Sequence, residues 1–510
     1  MTNFATSLSR WRLPAHLRQL SSISLRTIDL RTLLAFGLPF VLYVITLAPT
    51  VYNLDSAELT TAAASGGIVR ATGYPLYLLL GRVWSWLPIG DVGFRLNLFS
   101  AFCGALTIAL AERILRRMQV SDWARFAALG LLACAPFFWA MSLIAEVYTL
   151  HTALMAGIIL LLLRWGESPT PRRLALVGLT AGLSLGHHAA TVLFLPGCAW
   201  YVLSVAPRQA LAPRALIPAI GALLLGASVY LYLPLLYLAR PAFNYAGQYN
   251  AAGQLVPDNL MSIEGLWKLM TGRAFAGQML AYQGAELWHE VVGFAVQLSQ
   301  AFFIVGVGPG LIGLVVLLRR DWRLGGMLLL MFALSAGFYI DYRVVDKNTM
   351  FLPAFLVWAL WLGVGYAWLY QWLSRAHDRF TRTWVTRLLQ GTVIGVVLIA
   401  VAWNWRLTNL SRDYSTRQRG ESILQVAEPR ALILGWWDTV PVIEYLQFVE
   451  GQRPDVQAIN RFLIAPEDQR ELIASNLGRR PIYIDSVPKD LSGVARVQRA
   501  GLVYELLPRP

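Results

Sequence analysis

The stretch MFLPAFLVWALWLGVGYAWLY, Met350 to Tyr370, contains no charged residue, with Lys347 just before it and Arg375 just after it. As a helix it is long enough to cross the hydrocarbon of a bilayer. Working outward, further apolar runs lie at 33–48, 94–112, 124–142, 150–163, 174–187, 189–205, 215–238, 292–317, 325–340 and 389–404. Together they predict a membrane all-α protein of about eleven transmembrane helices, several shorter than the roughly 20 residues a straight span needs. Composition agrees, since 510 residues that are 56% hydrophobic and 14% charged carry too few charges for a soluble chain. The 19 Trp and 20 Tyr suit a chain with many membrane–water boundaries. A net charge of +14 would suit nucleic acid if the basic residues were pooled. They fall instead in short clusters between apolar runs, so no nucleic-acid partner is expected and membrane lipids are.

The clusters also orient the chain. Arg113, Arg116 and Arg117 follow the second run, Arg164, Arg172 and Arg173 the fourth, Arg208 and Arg214 the sixth, Arg319, Arg320 and Arg323 the eighth, and Arg375, Arg379, Arg382 and Arg387 the tenth. Every even-numbered connection is basic, which puts the N-terminus in the cytoplasm and the tail outside. Arg10, Arg12, Arg18, Arg26 and Arg31 precede the first run with no small-residue cleavage site after it, so an uncleaved anchor is expected, in a bacterial inner membrane. The predicted organisation is a cytoplasmic segment 1–32, a transmembrane domain 33–404 with outer loops 49–93 and 239–291, and an extracytoplasmic domain 405–510. Within the first loop, Tyr74 to Trp86 is apolar but too short to span and reads as an interfacial or re-entrant helix. In the tail, strands over 430–435, 455–460 and 481–485 alternate with helices over 439–450 and 466–477, the pattern of a small α/β domain. Cys103, Cys134 and Cys198 lie inside apolar runs, so neither a disulfide nor a cysteine metal site is expected.

Residues that look chemical gather in the outer connections. Asp55 and Glu58 are spaced to share a helix face near a low-dielectric boundary, where one carboxylate can act as base while the other accepts hydrogen bonds or a divalent metal. The plainer reading is a helix N-terminus, with Asp55 in the place of the usual Ser or Thr of a capping box. Glu146 stands at the same depth in the turn between the third and fourth runs, as a catalytic carboxylate or a solvated cap. His187 and His188 are adjacent in an apolar hairpin, so their rings cannot share a helix face and a two-ligand metal site is not expected there. Outward basic residues run against the positive-inside tendency: Arg70, Arg82, Arg95, Arg240, Arg273, Arg343 and Lys347, the last two beside Asp341 and Asp346. Arg343 and Lys347 form the preferred phosphate clamp, with an ion-pair cluster to those aspartates as the alternative.

Five segments in order resemble one family. They are Leu54-Asp55-Ser56-Ala57-Glu58 with Gly73-Tyr74-Pro75, Ala145-Glu146-Val147-Tyr148, Glu264-Gly265-Leu266-Trp267 with Thr271-Gly272, the stretch from Asp346 to Phe351-Leu352-Pro353, and the tail run Gly435 to Asp438-Thr439 with Arg453-Pro454-Asp455. The chain is similar to the protein O-mannosyltransferase-like family of the GT-C glycosyltransferase superfamily. The resemblance implies a GT-C bundle and an inverting transferase. Such an enzyme moves a sugar from a polyprenyl-phosphate donor to a hydroxyl of a protein, lipid or glycan on the outer face. It implies that Asp55 is the base or acceptor-positioning group, with Glu58 and Glu146 as the other catalytic carboxylates. Substrate-binding candidates are Arg70, Tyr74, His187, His188, Arg240, Arg343, Asp346 and Lys347. A divalent metal on Asp55 and Glu58 would be the one cofactor. The chain departs from the family pattern at Arg70-Ala71-Thr72, where relatives often carry His-Pro-Pro. Competing classes are a lipid-linked-sugar flippase or transporter, and a non-catalytic envelope assembly protein. Ionisable residues clustered at span ends, and the lack of an internal repeat, disfavour transport.

Overall fold

The computed structural model describes residues 29–375, 379–487 and 495–509; Arg10, Arg12, Arg18 and Arg26, and all but the last few residues of segment 1–32, lie outside them. The uncharged stretch quoted above belongs to the most enclosed helix of the bundle. The helical segment Lys347–Arg375 has 94% of its apolar window buried, so its Leu, Phe and Trp side chains pack on other helices and not on lipid. Around it stand Val92–Arg117, Tyr148–Glu167, Trp322–Ile340, Pro213–Leu238 and Arg382–Thr408, the last two only 22% and 17% buried. Ile217, Leu224, Leu225, Leu398 and Trp403 on these two helices are exposed. Apolar surface of that extent is stable when hydrocarbon covers it, and the chain is an integral membrane protein.

Among the described residues six helices are long and apolar enough to cross a membrane, with shorter apolar helices at Leu30–Thr46 and Ala189–Val205, against about eleven spans read from hydropathy. Two expected spans are each a pair of helices. Over 124–142 the helix stops at Ala133 and restarts at Pro136, because a proline disfavours helical backbone at the residue before it and Ala135 is extended. Over 292–317 the break falls between Gly284–Ala301 and Val307–Arg320, where Phe303 and Ile304 take left-handed φ of 52° and 57°.

Helix packing relies on missing side chains. A Cβ on Gly182 would sit 2.0 Å from the Leu223 carbonyl oxygen, and one on Gly178 2.3 Å from that of Ala219, so the helices Pro171–Leu185 and Pro213–Ala227 touch backbone to backbone. The same holds between Val307–Arg320 and the central helix at Gly313 and Gly365.

The connections segregate to two ends. At one, Arg116 pairs with Asp29, Arg117 with Glu167, and Arg31 with Asp122 at 2.8 Å. At the other, the first outer loop meets the tail. The tail holds a five-stranded sheet of β3 (Leu432–Gly435), β4 (Gln457–Asn460), β5 (Ile482–Ile484), β6 (Arg496–Ala500) and β7 (Val503–Leu507), following the hairpin β1 (Gly247–Tyr249) and β2 (Leu255–Pro257) of the second loop. Its order is β4-β3-β5-β7-β6, with β3 parallel to both neighbours and β7 antiparallel to β5 and β6. Alternation divides its core: Leu432 and Leu434 face Leu472 and Ile473, whereas Ile433 faces Val442 and Tyr445 together with Val51 and Ala57 of the first loop.

Gly182→Val should lower the thermal unfolding midpoint of detergent-solubilised protein by forcing apart two helices, at a cost of about 1–3 kcal/mol. Gly221→Ala, one helix face away in open space, should leave the midpoint unchanged or raise it.

Candidate active site

The post for the site is the helix Val92–Arg117, started by Asp91, whose carboxylate accepts from the Phe94 N–H at 2.7 Å. Its Asn97 is wholly buried and uses both ends of its amide. Nδ2 donates to the Ala48 and Thr50 carbonyls at 2.9 and 2.8 Å, and Oδ1 accepts from the Ala145 N–H at 2.8 Å. One turn on, Ser100 Oγ accepts from the Glu146 N–H at 3.2 Å. One helix face thus fixes the starts of both acidic loops.

Leu54 has a left-handed φ of 59°, and the chain then enters the helix Ser56–Ser65 with Asp55 before its first residue. The Asp55 backbone carbonyl accepts from Leu59 at 2.9 Å, but its side chain makes no capping bond, and the Glu58 carboxylate does not reach back to Asp55. The capping-box reading therefore fails here, because both carboxylates are drawn to Arg70. After Gly66 the chain pairs Ile68 with the second loop, its N–H donating to Phe243 O at 3.1 Å while Tyr245 N–H donates back to Ile68 O at 2.8 Å. This return carries Arg70 past the helix start. Its backbone N–H donates to Glu58 Oε1 at 2.9 Å, and its guanidinium lies 2.5 Å from Asp55 Oδ1 and 3.6 Å from Glu58 Oε2. The tail closes the arrangement: Trp437 donates its indole N–H to Asp55 Oδ1 at 3.2 Å, and Arg70 lies over its ring at 4.1 Å. Glu146 Oε1 accepts from the Asp55 backbone N–H at 3.3 Å, and its Oε2 is buried without a partner among the described residues.

Electrostatics sort these groups. Burial, helped by the Asp55 charge, pushes the Glu58 carboxyl up to about 7 against the pull of Arg70. Burial and the nearby Asp55 and Asp346 charges hold Glu146 well above the ordinary carboxylate range, and burial also raises Asp346. Burial disfavours the Arg70 charge, yet Asp55 and Glu58 outweigh it and keep the guanidinium firmly protonated. Burial lowers His187 to about 3 and His188 to about 4, so both imidazoles are neutral.

Asp55, Arg70, Tyr74, His188 and Asp346 line one cavity of about 270 Å³ whose remaining wall is largely apolar, including Val192, Leu193, Phe338 and Met350. Tyr74 reaches it through a turn that requires glycine: Gly73 has φ +82°, and a Cβ there would meet Leu233 at 2.7 Å. The Tyr74 ring then packs 5.5 Å from His188, which is itself 4.7 Å from His151. His187 stands behind, with Nε2 2.9 Å from the Val147 carbonyl. Glu58 and Glu146 back the cavity without lining it.

Three predicted binding residues are elsewhere. Arg240 is exposed and outside the cavity wall. Arg343 pairs with Glu286 at 2.6 Å and Lys347 with Glu290 at 2.7 Å, both cations flanking the Tyr282 ring, so the expected clamp is spent on two glutamates of the helix Gly284–Ala301. Their predicted alternative partners, Asp341 and Asp346, are not the partners found. A divalent metal on Asp55 and Glu58 does not fit this arrangement, because Arg70 fills the space between the carboxylates. Among the described residues no group of three or more His, Cys, Asp or Glu is placed to hold one. Sequence reading missed Trp437 as a site residue. Its signals are its place in the tail run Gly435 to Thr439 that resembles the family, and its position just past the carboxyl end of the parallel strand β3, where open α/β sheets place functional groups.

Comparison with known proteins bears on the whole chain. The family model described as the Protein O-mannosyl-transferase TMEM260 N-terminal domain matches residues 55–210, a segment that begins at Asp55. The Protein O-mannosyl-transferase TMEM260 of Mus musculus is 25% identical over 447 residues, covering 83% of this chain and 62% of its own length. The Dictyostelium discoideum protein of that name is 21% identical over 475 residues, covering 84% of this chain and 56% of its own. The chain thus spans about three fifths of the length of these relatives. Among solved structures, ArnT from Cupriavidus metallidurans bound to undecaprenyl phosphate superposes with a TM-score of 0.61 at 13% identity, covering 93% of this chain and 97% of that one. The chain is O-mannosyltransferase-like in sequence and GT-C-like in fold. Sequence relatives from Mus musculus and Dictyostelium discoideum lend no support to the expected bacterial membrane.

The tail's grip on the second loop should weaken with rising pH. Tyr245 Oη donates to Glu444, whose buried carboxyl is pushed up to about 8 from an ordinary 4.5 by burial. A raised carboxyl contributes stability that is complete below its unfolded value and is lost as pH climbs to its folded one. The unfolding midpoint of the wild type should therefore fall between about pH 4.5 and 8 relative to Glu444→Gln, which keeps the acceptor but cannot ionise. Parallel pH curves for the two proteins would refute this.

Proposed function

We propose that this protein is an inverting glycosyltransferase that takes a sugar from a polyprenyl-phosphate donor and passes it to a hydroxyl acceptor on the outer face of the membrane. Mannose is the first sugar to test, given the names of the relatives. The observation that carries the reading is a single cavity with two kinds of wall. At one side Asp55 and Arg70 present a carboxylate and the only guanidinium among its described lining residues, and Val192, Leu193, Phe338 and Met350 supply an apolar remainder. A lipid phosphate has the matching division into an anionic head and a hydrocarbon chain. The undecaprenyl phosphate held by ArnT, a protein of similar fold, supports a donor of this class. The orientation follows from the basic connections: the end carrying this cavity and the tail faces away from the cytoplasm.

In this reading Arg70 takes the place of the expected Arg343 and Lys347 clamp. The donor phosphate engages the Arg70 guanidinium, which offers a planar fork to its oxygens. A carboxylate paired to a guanidinium is a weak base, so transferring Arg70 to the phosphate frees Asp55 for the acceptor. The acceptor hydroxyl attacks the anomeric carbon from the face opposite the phosphate and gives its proton to Asp55. The new bond from carbon to the acceptor oxygen forms as the bond to the phosphate oxygen breaks. Lipid phosphate departs with that electron pair, stabilised by Arg70 and needing no acid. Glu58 keeps the Arg70 backbone in place. Glu146 holds the Asp55 backbone, and its raised carboxyl disfavours a second negative charge beside Asp55.

Labelled mannosyl-phosphoryl-undecaprenol and a serine- and threonine-rich peptide, supplied to membranes containing the full chain, give the assay. Asp55→Asn should reduce transfer by at least ~100-fold at unchanged protein level, the scale on which a positioned base acts. Full activity in that variant would remove Asp55 from the chemistry. Arg70→Gln should raise the apparent KM for the donor more than that for the peptide. An unchanged donor KM would return the phosphate to another cation.

A further inference from the structure

The tail is joined to the bundle at several places, but one contact enters the chemistry. Trp437 lies at the end of β3, 382 residues beyond Asp55 in sequence, and places its indole N–H 3.2 Å from Asp55 Oδ1. That oxygen also receives the Arg70 guanidinium at 2.5 Å, so one oxygen of a carboxylate that lines the cavity carries two donors. The Trp437 ring meanwhile supports Arg70 at 4.1 Å. Its orientation is set by Tyr245 and Phe462, whose rings meet it at steep angles with centroids 5.5 and 5.3 Å away. Tyr245 is in turn bonded to Glu444 on the next tail helix. Farther along the same interface, Tyr445 Oη accepts from the Gly93 N–H at 3.2 Å, and Arg417 reaches Asp91 at 3.3 Å and Glu450 at 2.6 Å. The tail is therefore held in register with the helix post that carries Asn97, and Trp437 is the side chain through which that register reaches Asp55.

We infer that Trp437 is a positioning residue for sugar transfer: its N–H keeps Asp55 aimed when Arg70 leaves for the donor phosphate, and its ring guides Arg70 between the two positions. The inference rests on the transferase reading above. When Arg70 moves, Asp55 would lose its one charged partner among the described residues and rotate freely unless a second donor remained on Oδ1. The indole N–H is that donor, and it is neutral, so it orients the carboxylate with a smaller loss of basicity than a cation would cause. The tail is on this account a component of the site and not only its cover.

The test is steady-state transfer from labelled mannosyl-phosphoryl-undecaprenol by the full-length protein in membranes, with thermal unfolding of each variant measured alongside. Trp437→Phe retains a ring for Arg70 and removes the N–H. It should lower kcat about tenfold with the donor KM changed less than twofold, as expected for an interaction needed at the reacting centre and not for binding. Trp437→Leu removes both contributions and should add a rise in donor KM of severalfold. Trp436→Phe, whose ring packs over Arg461 on the other side of the strand end, should behave as wild type. An active wild type with Trp437→Phe equally active per folded molecule overturns the inference alone. So does a loss of kcat that only follows a loss of folded protein. A wild type that transfers no sugar from this donor overturns the transferase reading and this inference with it.

Discussion

Arg70 lies between two carboxylates that depend on it, and the end of the molecule that carries the tail is arranged about that fact. Glu58 is almost fully buried, and its nearest compensation is the Arg70 backbone N–H and guanidinium. Removing one member of a buried charge set leaves another uncompensated, at ~3–5 kcal/mol. The chain invests accordingly in bringing Arg70 back to the start of the helix from which it departs. Gly66 ends that helix in a left-handed turn, Ile68 pairs with the second loop, and a Cβ on Gly67 would collide with Phe243 at 2.7 Å. The ion set and the fold of two loops are one structural decision.

That decision needs a rigid base, which the membrane part supplies. A helix with the rise of an ideal α-helix carries Asn97 and Ser100 at a fixed height, and both are satisfied by the backbone of the acidic loops. Because Asn97 is fully buried, each loop that let go would strand a polar group in a low-dielectric interior, where an unmade hydrogen bond costs most. The helices behind it cannot drift, since backbone contacts at Gly178, Gly182, Gly313 and Gly365 leave no slack for sliding.

Much of this was legible in the chain itself, where the signal is local. Uncharged runs predicted helices because hydrocarbon demands them. Regular alternation of basic connections predicted two ends, which the ion pairs Arg31–Asp122 and Arg117–Glu167 occupy at one of them. Asp55, Glu58 and Glu146 stood out because carboxylates are scarce beside such runs. What sequence could not supply is partner choice. Arg343 and Lys347 looked available for phosphate, with Asp341 and Asp346 as local partners, yet Glu286 and Glu290 from a helix more than fifty residues earlier take both. Hydropathy averaging hid the breaks at Ala135 and at Phe303-Ile304, since a left-handed residue or a proline turn remains apolar. Capping-box spacing suggested a local role for Asp55 that a cation fifteen residues away overrode. Trp437 lay inside the tail run Gly435 to Thr439 that carried part of the resemblance, but nothing in the sequence says that its indole meets Asp55 across an interface.

The charge balance of the site argues for how it is used. Asp55 and Arg70 are paired, so the one guanidinium among the cavity's described lining residues is already engaged before any molecule arrives. An anion that arrives must then displace a carboxylate from Arg70 in order to bind, and the displaced carboxylate gains basicity as a result. In the proposed reading, binding and activation are thereby coupled through one guanidinium. The cost of this design is that the freed carboxylate must not wander during the exchange, in a cavity whose other walls are largely apolar. A second donor contributed from outside the membrane bundle resolves that conflict, and it explains why a tail so distant in sequence is bonded so firmly to the loop that carries Asp55.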